Sequence, residues 1–171
     1  KIKKKKTHKT KRDFLTIEEY KAMLECIDIA KNTGFKHYIL VNVMYDTAAR
    51  VNETVQMNME HFSFGKENSV VIFGKDSKYR RIYLTNHTVK LINEYSRKFS
   101  IEKGEMFKNR CQNRISDSGI DYILKKYAKL ASLKEKSLVS KTVSPHIMRR
   151  SKATHMLLNG ASLPVIQRFL G

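Results

Sequence analysis

The chain has 171 residues, 41% of them apolar, which is enough for one domain with a hydrophobic core. Its 34 Lys and Arg residues against 16 Asp and Glu give a formal net charge of +18, which favours a nucleic acid or an anionic membrane surface as partner. The longest nearly apolar run, residues 38–45, is too short to span a bilayer. The two cysteines are far apart and lack metal-binding spacing, so a disulfide framework and a zinc site are both unexpected. A protein of the reducing cytoplasm is therefore expected.

The first predicted elements are a basic arm and a capped helix. Residues 1–12 carry eight basic side chains and no apolar segment follows them, so they are not a secretory signal. They form either a solvated linker or an arm that lies on DNA phosphates. Thr16 with Glu19 forms a capping box that predicts a helix start, and Gly34 is expected to end that helix.

The middle of the chain changes from helical to strand patterning. Residues 35–49 are apolar on most sides and predict a buried helix, followed by a short helix or turn over 50–57. Residues 70–73 and 81–84 are typical of strands, and the polar turn over 74–78 predicts that they form a hairpin.

The second half is expected to be helical again. Four helix starts are predicted, at Thr85, at Ser116 or Ser118, at Pro145 and at Ser162. Loops are expected over 102–114 and 132–142. The predicted fold class is therefore α+β, mostly helical, with one small antiparallel β-hairpin or sheet and no internal repeat.

Arg50 is the first candidate functional residue. It follows an apolar helix, where an arginine is uncommon unless it is paired or directed at an anion. Glu53 lies three residues later, on the same side of a helical turn, and can hold the guanidinium in place. From these residues alone, two interpretations stay open: a buried ion pair without a ligand, or a positioned anion-binding arginine.

The predicted hairpin tip, residues 74–81, is the second candidate. Four of its residues are cationic, and they are Lys75, Lys78, Arg80 and Arg81. The tip is either a solvated turn or a cationic loop that contacts phosphate in a nucleic acid groove. It lacks the glycines of a phosphate-binding P-loop.

His146 and Arg149 form the third candidate, because they share one face at the start of a helix whose N-terminus favours anions. His155 is interpreted as a core or interhelical histidine. His146 and His155 are nine residues apart, too far to bind one metal ion from one short helix face. The acidic residues are scattered singly, so no metal site is expected and metal-dependent phosphodiester chemistry is poorly supported.

These three clusters, in this order, resemble the catalytic domain of the tyrosine recombinases, the phage and transposon integrase family. The family boxes read roughly T-G-x-R-x-S-E, G-K-G-x-K-x-R and a longer box that begins H-x-L-R-H-T and ends I-Q-x-x-L-G. They match residues 47–53, 74–80 and 146–171. The resemblance covers about residues 14–171 and implies a basic arm or linker over 1–12 and an integrase catalytic domain over 13–171.

The resemblance implies a role for each matching residue. Arg50 and Arg149 correspond to the two arginines that clamp the scissile phosphate, and Lys75 to the lysine that protonates the leaving 5′-oxygen. His146 corresponds to an acid, base or phosphate hydrogen-bond donor. The family breaks and rejoins double-stranded DNA through a 3′-phosphotyrosyl intermediate, as a tetramer on DNA, and needs neither a cofactor nor a metal. Preorganised guanidinium groups suit this chemistry because they stabilise charge that develops on phosphorus oxygens.

The sequence departs from the family pattern at several positions. Ala48 stands where the family usually has Gly, Asn52 where it has Ser, Asp76 where it has the second hairpin Gly, and Arg150 where His is common. The family's nucleophilic tyrosine would fall beyond Gly171, and all eight tyrosines precede His146. The domain is therefore expected to be truncated at its C-terminus, monomeric and unable to form the covalent intermediate.

Two other functions remain open at this level. A non-catalytic relative would bind DNA through the same basic residues, here including Lys78, Arg80 and Arg81, without breaking it. An RNA-binding protein would expose aromatic side chains on a sheet face, and the short hairpin is expected to offer few of them.

Overall fold

The computed structural model describes residues 14–74 and 78–171; the basic arm and Lys75 lie outside this part of the chain. Its elements, in chain order, are α1 (Ile17–Glu25), α2 (Asn32–Thr47), α3 (Val51–Val55), a 3₁₀ turn (Met59–His61), β1 (Phe62–Ser63), β2 (Ser69–Phe73), β3 (Tyr79–Tyr83), α4 (Asn86–Phe99), α5 (Asp117–Ala131), a second 3₁₀ turn (Lys136–Ser140), α6 (Pro145–Leu158) and α7 (Leu163–Leu170). The predicted fold class, helix-dominated α+β, is confirmed.

Local capping signals place most helix starts. Thr16 accepts a hydrogen bond from the Glu19 amide and Glu19 accepts one from the Thr16 amide, so the predicted capping box begins α1. Thr85, Ser116 and Ser144 cap α4, α5 and α6 in the same way through their hydroxyl oxygens. The starts of these four helices were therefore readable from the sequence.

The prediction that Gly34 ends the first helix is wrong. Helix α1 ends at Glu25, with Cys26 as its C-cap, and Gly34 lies inside the first turn of α2. A Cβ at position 34 would overlap the main-chain oxygen of Asp28. The glycine is needed because the turn between α1 and α2 passes against the helix backbone.

Helix α2 forms the centre of the core. It packs against α4 and α6, while α1 packs against α5. Its side chains are buried along most of its length, including Ile39, Val41 and Val43, as the apolar pattern predicts.

The sheet has three antiparallel strands in the order β1-β2-β3. The hairpin β2–β3 was predicted, and the short strand β1 was not. Val71 pairs with Arg81 and Phe73 with Tyr79, which sets the register. Val70, Ile72 and Ile82 therefore face the core, and the residues that alternate with them face outward.

Candidate active site at the end of helix α2

The chain brings Arg50 to the surface by ending α2 sharply. Ala48, the C-cap, adopts the left-handed conformation with φ 46°, and Arg50 is the extended N-cap of α3. The Arg50 amide donates to Glu53 Oε2 at 2.7 Å and its Nη1 to Glu53 Oε1 at 3.0 Å. The same carboxylate thus caps α3 and fixes the guanidinium of Arg50, whose side chain is 53% exposed.

Glu53 is buried at the centre of the site. Arg80, from β3, donates Nη1 to Glu53 Oε1 at 2.9 Å and Nη2 to Oε2 at 2.8 Å, a bidentate pair. Burial by itself raises the pKa of Glu53, but hydrogen bonds from Arg80 and from the Arg50 amide outweigh it and lower this pKa to about 2. Glu53 is therefore ionised at neutral pH.

Arg149 reaches the same carboxylate from α6. Its Nη1 donates to the main-chain oxygen of Ala48 at 2.7 Å and lies 4.0 Å from Glu53 Oε2. Burial, together with the charges of Arg50 and Arg80, lowers the pKa of Arg149 to about 10. The guanidinium is still protonated at neutral pH. We call Arg50, Arg80 and Arg149 around Glu53 the arginine cluster.

The end of α7 lies against the arginine cluster. Each of the three guanidinium groups donates to one of three successive main-chain oxygens, where the helix dipole is negative. The pairs are Arg80 Nε to Phe169 O at 3.1 Å, Arg149 Nη2 to Leu170 O at 2.8 Å and Arg50 Nη2 to Gly171 O at 3.0 Å. The cluster thus joins α3, β3, α6 and α7 at one point.

The other predicted catalytic residues flank the cluster. His146 is exposed in the first turn of α6, one turn before Arg149. Lys75 lies outside the described residues, but the preceding Gly74 adjoins the cluster, because a Cβ there would be 3.8 Å from Glu53 Oε1. The Gly74 amide also donates to the main-chain oxygen of Lys78 at 2.8 Å and closes the base of the hairpin turn.

The three cations predicted to contact DNA do not share one environment. Lys78 and Arg81 are exposed, at the base of the turn and on the outward face of β3. Arg80 instead points inward to Glu53, and its side chain is only 11% exposed. The structure therefore places Arg80 in the arginine cluster and not on the free surface of the hairpin, because the alternation of β3 directs it opposite to Arg81.

His155 lies in the core, as interpreted from the sequence. Its Nδ1 is 2.6 Å from the hydroxyl of Tyr45, which joins α6 to α2, and burial lowers its pKa. Among residues 14–74 and 78–171, no group of three or more His, Cys, Asp or Glu side chains could hold a metal ion.

A cleft of about 860 Å³ has no counterpart among the sites predicted from the sequence. It lies between the first half of α2, the segment after α4, and α5. Five cations line it and no acidic residue does; they are Lys36, Lys103, Lys108, Arg110 and Lys126. We call it the cationic cleft. Burial and the charges of Lys126 and Arg110 lower the pKa of His37, on its wall, to about 4.

No motif marks the cationic cleft because its cations are scattered over three segments of the chain. Two of them are held above aromatic rings: the Lys36 ammonium is 4.6 Å from the centre of Phe99, and that of Lys126 is 5.2 Å from the centre of Tyr127. Lys36 precedes Ala48 by twelve residues, about 18 Å along the helix. The cleft thus extends the positive surface away from the arginine cluster.

The family model described as "Phage integrase family" matches residues 13–171, which include all the boxes noted above. The chain belongs to the phage integrase family. It is 32% identical over 165 residues to the tyrosine recombinase XerD of Staphylococcus epidermidis, covering 93% of this chain and 54% of that protein. It is 30% identical over 162 residues to the tyrosine recombinase XerC of Chlamydia caviae, covering 92% and 50%. The integrase-family chain thus spans about half the length of the curated relatives it matches.

Solved recombinase structures share the fold of this integrase-family chain. The crystal structure of XerA recombinase has a TM-score of 0.78 at 23% identity, covering 92% of this chain and 55% of that one. The pre-cleavage complex of XerH site-specific recombinase with its difH substrate also has a TM-score of 0.78, at 22% identity, covering 93% and 47%. Within the described residues, no helix is both long and apolar enough to cross a membrane.

Proposed function

We propose that this chain is the DNA-binding catalytic portion of a site-specific tyrosine recombinase, an integrase that breaks and rejoins DNA strands. In the intact protein the reaction passes through a 3′-phosphotyrosyl intermediate. One observation carries the proposal: Arg50 and Arg149 both lie beside the buried carboxylate of Glu53. The two arginines are 99 residues apart in sequence. Family membership supports the same reaction class.

The arginine cluster suits a phosphate group in charge and in geometry. It holds three guanidinium groups and one carboxylate, which leaves an excess of two positive charges. Arg50 and Arg149 bind the non-bridging oxygens of the scissile phosphate and stabilise the charge that develops on them at the transition state. Glu53 and Arg80 hold these two groups in place before the substrate arrives.

Proton transfer is assigned to the two flanking residues. A tyrosine hydroxyl attacks phosphorus and loses its proton to His146 or to solvent, the bond to the 5′-oxygen breaks, and Lys75 gives that oxygen a proton. His146, one turn before Arg149, donates a hydrogen bond to the phosphate or exchanges a proton with the nucleophile. The phosphotyrosyl bond stores the energy of the broken phosphodiester, so rejoining needs no nucleotide cofactor.

The DNA partner follows from the charge of the surface around the cluster. We assign the cationic cleft, Lys78 and Arg81 to the DNA backbone, because they add positive charge to the surface around the cluster. XerH is a structural neighbour bound to its difH DNA, and a Tn1549 transposon integrase is another in complex with transposon right end DNA. We propose that the intact protein acts in the cytoplasm as a tetramer on DNA and that the 171-residue chain is monomeric.

A covalent trapping experiment tests the proposal. The intact protein is incubated with duplex DNA that is nicked beside the cleavage position, so that rejoining cannot occur, and the products are separated by denaturing electrophoresis. We expect a protein–DNA band from the intact protein, its loss in Arg50→Ala, and no band from the 171-residue chain alone. Arg97→Ala, on the exposed side of α4, is the matched control and should leave the band unchanged.

The alternative is a non-catalytic DNA-binding relative, for which the departures at Ala48, Asn52 and Arg150 are the motivation. It predicts that the intact protein binds its DNA site but forms no covalent band. That result, obtained with a site to which the protein binds tightly, would overturn the catalytic proposal and leave DNA binding in place.

A further inference from the structure

The outward face of the sheet exposes three aromatic side chains. Alternation along β2 and β3 buries Ile72 and Ile82, and it directs Phe73, Tyr79 and Tyr83 to the opposite face, where they are 53%, 72% and 63% exposed. The expectation of few exposed aromatics on this hairpin is therefore wrong, because consecutive strand residues alternate between the core and the surface.

The exposed side chains form one continuous surface. Phe73 and Tyr79 are paired across the strands with ring centres 6.5 Å apart. Arg81 lies between Tyr79 and Tyr83 on β3, about 6.6 Å from each at the usual rise of a strand, and its Nη1 donates to Ser69 Oγ at 3.4 Å. We call Phe73, Tyr79, Arg81 and Tyr83 the outer sheet face.

The chemistry of the outer sheet face selects an anionic, planar ligand. The other strand positions on this side of the sheet are Ser63, Val71, which is half-buried, and Ser69, which is buried, so no strand residue on this side is acidic. Aromatic rings stack on every nucleobase regardless of sequence, and an arginine between them binds a backbone phosphate. In a duplex the bases already stack on one another, so only unpaired bases can use these rings.

The position of the face supplies a source of unpaired bases. Arg80 lies in the arginine cluster, and its neighbours Tyr79 and Arg81 point to the other side of the same strand. A DNA strand released at the arginine cluster therefore has to pass only the edge of the β2–β3 hairpin to reach the outer sheet face. Two copies of this chain, each with a net charge of +18, would repel each other, so a second copy is not the electrostatically favoured ligand of this face.

We propose that the outer sheet face is a binding site for single-stranded DNA, with unpaired bases stacked on Tyr79 and Tyr83 and a phosphate bound by Arg81. Binding of an isolated single strand stands on the geometry of the face alone. Its use on a strand released by cleavage rests on the proposed recombinase function. The two statements are therefore tested separately.

The test compares variants that differ only in ring stacking. Tyr79→Ile/Tyr83→Ile keeps apolar, strand-forming side chains but removes both rings, whereas Tyr79→Phe/Tyr83→Phe keeps the rings. The probe is a fluorescein-labelled 12-mer of deoxythymidine, measured by anisotropy with the 171-residue chain, beside a labelled duplex of equal charge. We expect the Ile variant to bind the single strand about tenfold to a hundredfold more weakly, since each stacked base contributes on the order of a tenfold factor.

Four controls decide the outcome. The Phe variant should bind the single strand within about twofold of the unchanged protein, and duplex affinity should stay within about twofold in both variants. Equal loss of single-strand and duplex binding, or no loss at all, overturns the proposal. If sedimentation instead shows self-association that the Ile variant abolishes, the face is an interface between copies and the proposal is also overturned. Thermal unfolding checks that each variant is folded.

The link to the recombinase function is tested with the intact protein. If the proposed function fails, the covalent band is absent from every variant while the 12-mer still distinguishes Ile from Phe. If only the present inference fails, the covalent band forms normally and the 12-mer binds all three proteins equally.

Discussion

The arginine cluster and the cationic cleft are both strongly positive, but their charges are held in different ways. In the cluster, Arg50, Arg80 and Arg149 share the buried carboxylate of Glu53. In the cleft, Lys36 and Lys126 lie over aromatic rings and, within the described residues, form no ion pair with a carboxylate. The cluster is therefore fixed before any ligand binds, whereas these cleft lysines carry charge that a bound polyanion would neutralise.

The two regions therefore make different contributions to function. A carboxylate that orients guanidinium groups reduces their net charge but fixes their geometry, which is what a reacting phosphate requires. Lysines on a cleft wall attract a polyanion and release its counterions, without fixing any atom closely. Changes in the cluster should therefore alter stability and reaction rate, and changes in the cleft should alter the salt dependence of binding.

The largest expected effect is that of Glu53→Gln. It removes the buried charge that three arginines share and leaves Arg80 and Arg149 with uncompensated positive charge. We expect the free energy of unfolding to fall by about 3 kcal/mol at pH 7, measured by urea denaturation. A loss below about 1 kcal/mol, such as Asp28→Asn at an exposed ion pair should give, would mean that Glu53 does not organise the cluster.

The pH dependence of stability tests the same carboxylate. The pKa of Glu53 is lowered from an ordinary 4.5 to about 2, so its contribution is fully present above pH 4.5 and is lost as the pH falls towards 2. The stability difference between the unchanged protein and Glu53→Gln should narrow by about 1.4 kcal/mol per pH unit across that window. A difference that stays constant from about pH 6 to about pH 3 would contradict the assignment.

A variant of Arg80 can show whether this residue positions Glu53 or contacts DNA directly. If it positions Glu53, Arg80→Gln in the intact protein should slow covalent band formation at least about tenfold, because a misplaced clamp costs rate steeply. Duplex affinity should change less than about twofold. Arg97→Gln removes the same charge from the exposed side of α4; it is the control and should leave the rate within about twofold. A normal rate of covalent band formation with weaker duplex binding would indicate instead that Arg80 contacts DNA directly.

A smaller effect is expected in the cationic cleft. Lys36→Gln/Lys126→Gln should make the slope of log affinity against log salt less steep by roughly 1.8, or about 0.9 for each phosphate that the protein no longer neutralises. The matched pair Lys90→Gln/Lys129→Gln removes equal charge from exposed helix positions outside the cleft and should leave the slope unchanged. Equal changes in both pairs would show that only net charge matters, not the cleft.

The smallest expected effect is a change in stability on substitution of Ala48, whose main-chain oxygen accepts a hydrogen bond from Arg149. Ala48 adopts φ 46°, a strained value for a residue with a side chain. Ala48→Gly relieves that strain but adds freedom to the unfolded chain, so a net gain of about 0.5 kcal/mol is expected. The measurement is a rise in Tm of about 1–2 °C, and a fall in Tm would contradict the argument.

Local sequence signals are enough to predict most helix starts, the β2–β3 hairpin and the family. The caps at Thr16, Thr85 and Ser144 act over three residues, and the apolar periodicity of α2 acts over one helix, so both are visible without any tertiary contact. The alternation that exposes Tyr79 is also present in the sequence, because Tyr79, Arg81 and Tyr83 alternate with Arg80 and Ile82 along β3.

Which cations are paired with a carboxylate depends on tertiary contacts. Arg80 meets Glu53 across 27 residues, and Arg149 meets Ala48 across 101, because α3, β3 and α6 converge where α2 ends. The close passage of the chain at Gly34 and the cationic cleft depend on packing in the same way. Charge alone cannot distinguish a positioning arginine from one that contacts a ligand, since the distinction lies in what each guanidinium touches, and residues distant in sequence supply those contacts.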